Sequence, residues 1–200
     1  MSSPWGAVAP ADAGTAAGLA ARLGSYCWAE QQLFALLGGW VADIGEPDVE
    51  LAMAEHADHA GWRAERWYEA LPAAAPGRDA LVQGPDAVAS ALDEVRTAGS
   101  LGTATRLAVA HRVLLPRMAA ALRAHLDWSS PVAEAPVARL LRLCLGDVTT
   151  DWVHGERLLQ ALGGPGAAGP EADRLESALA AAGGLLGPGS VGDRVGGGGA

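Results

Sequence analysis

Residues 51–71, LAMAEHADHAGWRAERWYEAL, read as one long amphipathic helix whose apolar stripe is interrupted by polar groups. At 100° per residue, Val49, Met53, Ala60, Trp67 and Leu71 share a face, His56 falls inside it, and His59 lies at its edge one turn later. Two imidazoles on a stripe that must be buried need partners. They are either hydrogen-bonded core groups or groups that point at a ligand.

The rest of the chain supplies three more long helices. From Asp12, a candidate N-cap, to Ile44 the pattern is helical, with Tyr26, Leu33, Leu37, Val41 and Ile44 in one stripe and Glu30 in the middle of it. Gly45-Glu46-Pro47 is a short connection, and Pro47 suits the first turn of the second helix, which ends at Pro72. Residues 72–100, broken by Pro and Gly around one short helix over 85–97, are long enough to cross the length of a bundle. A third helix over 101–126 buries Leu107, Leu114, Met118 and Ala121; His111 lies in that face and His125 continues its line. Pro116 should kink this helix by freeing the carbonyl of Arg112. A fourth helix begins near Pro131 or Pro136 and runs to Leu162. Its stripe is Val137, Leu141, Cys144, Val148, Trp152 and Leu159, with Asp151 inside it and Asp147 and His154 flanking it. Gly163 and Gly164 end that helix.

The expected organisation is a frayed N-terminus over 1–11, a helical domain over 12–162, a short C-terminal helix within 163–182 and a Gly-rich flexible tail over 183–200. With half of its residues apolar, the chain can bury a sizeable core. Its net charge of −9 argues against a nucleic-acid surface. Cys27 and Cys144 lack metal-type spacing and read as small buried apolar residues. No secretory signal and no membrane span is visible, which makes a cytoplasmic protein the expectation. No phosphate-binding loop, dinucleotide fingerprint or serine nucleophile motif occurs.

The polar intruders share a depth as well as a face. Glu30 lies about 16 residues before the turn at Glu46, and His59 about 13 after it, an offset of about 5 Å along antiparallel helices. His111 lies about 18 residues before the turn near Ser129, with Asp147 about 18 and Asp151 about 22 after it. Glu30, His56, His59, His111, Asp147, Asp151 and His154 are therefore expected in one mid-bundle layer.

That order resembles the ferritin-like di-iron carboxylate bundle, in which successive helices carry Glu, Glu-x-x-His, Glu and Glu-x-x-His. Glu30 takes the first Glu; His56-Ala57-Asp58-His59 takes the first pair, with His for Glu; His111 takes the third helix's Glu; Asp151-Trp152-Val153-His154 takes the second pair, with Asp for Glu. Tyr26-Cys27-Trp28-Ala29-Glu30, His56-Ala57-Asp58-His59-Ala60, Leu114-Leu115-Pro116-Arg117 and Asp151-Trp152-Val153-His154-Gly155-Glu156 are also similar to uncharacterised actinobacterial ferritin-like proteins. The resemblance implies an all-α, ferritin-like four-helix bundle with a long crossover between helices two and three. It further implies iron or manganese in the layer and metal-dependent oxidation of a small molecule. Against the family plan, the layer is poor in carboxylates and rich in imidazoles, which suits one late transition metal, or a di-metal site of unusual composition, better than a di-iron centre. The alternative needs no metal. Arg63, Arg112 and Arg117 lie near enough to close a buried network with Glu30, Asp147 and Asp151, leaving a non-catalytic bundle that binds a protein partner or forms a homodimer. Asp58, Glu55 and Glu65 point away from the stripe, and the tryptophans read as core or helix-contact residues.

Overall fold

The computed structural model describes residues 12, 14–73, 77–99, 101–163 and 169–187, and it is all-α, with no strand among them. The elements are α1 (Ala16–Trp40), α2 (Pro47–Ala70), α3 (Arg78–Leu81), α4 (Asp86–Thr97), α5 (Thr103–Ala108), a π-helical segment (Val109–Leu114), α6 (Leu115–Trp128), α7 (Ala135–Leu162) and α8 (Gly169–Ala181). The frayed N-terminus expected over 1–11 lies outside the described residues, as does residue 188 onward of the flexible tail expected over 183–200; residues 183–187 are instead turns that close on α8 and bury Leu185. Among the described residues no helix is long and apolar enough to cross a membrane.

Local chemistry sets the ends. α1 is capped by Thr15, whose hydroxyl accepts from the Gly18 N–H, and not by Asp12 as expected. Asp12 instead receives the Thr15 N–H on its carbonyl and pairs Arg22 with its carboxylate. A single 3₁₀ turn, Val41–Asp43, follows α1. Pro47 opens α2, where its missing N–H costs nothing. α7 starts at Ala135 with Pro136 in its first turn, and it ends on Gly163 at φ +151°, a conformation that excludes most side chains.

α1 packs along α2, and the rod formed by α5, the π segment and α6 packs along α7. The two pairs meet through α2 on α7. The crossover contains one more helix than expected, the single turn α3, and both α3 and α4 lie against α1. α8 packs on α4, α5 and the π segment, and Leu185 just beyond it is buried in the same core.

At Pro116, where a kink is expected, the turn before it widens into the π segment, which absorbs the lost hydrogen bond while Pro116 sits in the first turn of α6. One expectation needs correction. Trp152 is no core residue: it is 36% exposed, because the buried phase of α7 runs Val148, Asp151, Gly155, Leu159 and leaves position 152 at the rim. Trp62 is likewise exposed, whereas Trp40 and Trp67 are buried. Cys27 and Cys144 are buried free thiols, pushed up by burial to about 11 and about 12.

Candidate functional site

All four long rods send polar side chains to one buried layer. Arg63, fully buried on α2, lies between the two carboxylates: its Nε donates to Glu30 Oε1 (2.8 Å) and its Nη1 to Asp151 Oδ2 (3.0 Å). His59 Nδ1 donates to the other Asp151 oxygen, Oδ1, at 2.8 Å. Its side chain is 39% exposed, so this is where the layer reaches the surface.

Beside Asp151 a chain of imidazoles fixes its own tautomers. His111 Nδ1 lies 3.0 Å from the Leu107 carbonyl, which only accepts, so this nitrogen carries the proton. His111 Nε2 is then an acceptor, and His56 Nδ1, 2.9 Å away, donates to it. That leaves His56 Nε2 with a lone pair, facing His154 Nδ1 at 3.2 Å and Asp151 Oδ1 at 3.9 Å. Burial, with neighbouring imidazoles adding to it, depresses His56 to about 3; burial depresses His111 to about 4. Both rings are neutral at pH 7, as the chain of donors requires.

The charges do not close. Two carboxylates face one guanidinium, so the layer carries one negative charge in excess when both are ionised and the imidazoles are neutral. Burial pushes the Glu30 carboxyl up against the pull of Arg63. Burial opposes the charge on Arg63 too, but Glu30 and Asp151 hold that guanidinium above its usual range. Glu30 Oε2 and Arg63 Nη2 are buried without a hydrogen-bond partner among the described residues.

Of the residues expected in the layer, Glu30, His56, His59, His111, Asp151 and His154 come together. Asp147 does not join their hydrogen bonds. It is half-buried about one turn before Asp151 on α7, and its charge acts on Glu30 from there. Of the three arginines, Arg63 alone enters the layer: Arg112 makes a two-pronged pair with Glu156 (2.9 and 2.8 Å), and Arg117 pairs with Glu176. His125 belongs elsewhere. Tyr26 donates its hydroxyl to His125 Nδ1 (3.0 Å), and His125 Nε2 meets Glu134 (3.2 Å), a second buried polar cluster. Sequence reading missed its third member because Glu134 precedes α7 and shares no helical stripe with the others. Among the described residues no group of three or more His, Cys, Asp or Glu side chains is arranged to hold a metal ion.

Gly155 makes room for this arrangement. A Cβ there would lie 2.0 Å from His111 Cδ2 and 2.2 Å from its Cγ. Gly155→Ala is expected to destabilise the protein by about 1–3 kcal/mol through overpacking, although Ala is the better helix former. In an His111→Ala background the same substitution should be neutral or stabilising. Urea denaturation of the four variants checks this, and an unchanged sign in the second background would rule out the ring clash as the cause.

No family model, no curated protein and no solved structure matches the chain.

Proposed function

We propose that the layer is a metal-binding site within a ferritin-like four-helix bundle, taking one transition-metal ion on His56, His59, Asp151 and His154. One observation carries this reading: the backbone carbonyl of Leu107 sets the tautomer of His111, His111 sets that of His56, and the His56 Nε2 lone pair is left facing His154 Nδ1 and Asp151 Oδ1. An outer imidazole that orients an inner one is the arrangement expected behind a metal-ligating histidine. With both carboxylates ionised, the layer's one excess negative charge would favour a bound cation. His59 and His154 would each move a proton from Nδ1 to the other ring nitrogen, and the partial exposure of both lets solvent assist.

The donor set does not fit two irons, because Arg63 already holds both Glu30 and Asp151. A single ion would take three imidazoles and one carboxylate oxygen once His59 and His154 turn their lone pairs inward, with His111 and Arg63 behind the ligands. Such an ion would supply Lewis-acid or one-electron redox chemistry at any position the protein leaves open. The oxidation of a small molecule is the activity this reading favours.

Metal-stripped protein titrated with Fe(II) under anaerobic conditions, Mn(II) or Zn(II), then desalted and analysed for metal, should retain close to one equivalent of at least one of them. His154→Ala should weaken retention, and His111→Gln should weaken it by about 10–100-fold by releasing the His56 tautomer. Less than ~0.1 equivalent of every ion sinks the proposal.

A second reading is favoured by the fact that both carboxylates are bonded to Arg63. In it the layer is a closed ion-pair core, and the bundle acts by binding a protein partner. The same titration separates the two.

A further inference from the structure

Away from the layer, two arginines converge on a cavity of about 230 Å³ where the crossover meets the end of α1. Its lining includes Trp40 and Asp43 from the α1 side, Arg96 from the last turn of α4, and Arg106 from α5. Arg106 is 6% exposed. Its Nη2 reaches Asp43 at 3.3 Å, but its Nε and Nη1 are buried with no hydrogen-bond partner among the described residues. Arg96 pairs with Asp93 and donates to Gln32 (3.1 Å), and its Nε is also buried without a partner.

Guanidinium groups are planar forks that match an oxyanion, and desolvated N–H donors with no acceptor are costly to keep. A buried arginine facing a cavity with two unused donor atoms has little structural reason to be there, since one exposed aspartate is its sole described ion-pair partner.

We propose that this cavity binds a small oxyanion, the phosphate or carboxylate group of a compact molecule, between Arg106 and Arg96. Arg106 donates from within, and Arg96, which is partly exposed, closes over the ligand as Asp93 and Asp43, both largely exposed, turn to solvent. The cavity admits a group of phosphate size with a few further heavy atoms. The inference does not depend on metal in the mid-bundle layer.

The test uses the full chain at fixed ionic strength, with chloride as the reference anion and inorganic phosphate or acetate as probe, read by thermal unfolding and by titration calorimetry. A saturable rise in Tm with phosphate, with acetate or with both supports the site, and the stronger probe identifies the group. Arg106→Gln should weaken binding about tenfold or more, the loss expected for one charge-assisted donor set. Arg96→Gln, at a partly exposed position that leaves the core intact, should weaken it as well and covers the case in which Arg106→Gln does not fold. Equal behaviour of all three anions overturns the proposal, and so does binding that survives undiminished in the folded variants.

Discussion

Replacing Arg63 with methionine is expected to cost about 3–5 kcal/mol of stability at pH 7, because it leaves the Glu30 and Asp151 carboxylates buried and facing one another without their shared cation. Both are buried to the same extent as the guanidinium that holds them, so water cannot substitute for it. The loss should shrink as the pH is lowered toward the carboxylate range, where protonation removes the repulsion. Adding Glu30→Gln to Arg63→Met should recover part of it. Guanidinium chloride denaturation at pH 7 and pH 5 measures all three expectations. A cost under about 1 kcal/mol would mean that the pair is no more than a surface-type contact.

In metal-stripped protein, stability should fall steeply below pH 6.5. His56 and His111 sit at about 3 and about 4 in the folded chain, below the ordinary value near 6.5 that they regain on unfolding. The unfolded state therefore binds more protons between those limits. Stability is fully present above pH ~6.5 and declines toward pH ~4 by up to about 1.4 kcal/mol per pH unit for each histidine. Removing one of the two as His111→Gln should reduce the slope by up to that amount per unit, whatever it does to the absolute stability. The difference between wild type and variant, followed by urea denaturation across pH 4.5–7.5, isolates this contribution from other titrations. An unaltered slope would contradict neutral burial of His111.

Much of the layer was legible because helical phase and turn position are properties of the sequence. Glu30, His56, His59, His111, Asp151 and His154 were placed on one face and at one depth from spacing alone, and the structure brings them within hydrogen-bonding reach of one another or of Arg63. Arg63 was legible too: it follows His59 by one turn on the same stripe. Its choice of partners was not, since three arginines competed for the role. Arg112 and Arg117 pair instead with Glu156 and Glu176, on the flanks of the buried stripe. Trp152 and Asp147 failed differently. Each lies at the rim of the buried face of α7, where a side chain's burial depends on how the neighbouring helix crosses.

The sequence by itself determined an all-helical chain, the approximate extents of its long helices and a polar layer at a common depth, because local turn chemistry and a 3.6-residue period dictate these. Only the tertiary structure decided which cation stands between Glu30 and Asp151, which nitrogen of each imidazole bears its proton, and that two arginines from the crossover and α5 share a cavity. These are pairings across helices. They are fixed by distances and by the absence of competing water, and a one-dimensional pattern carries neither.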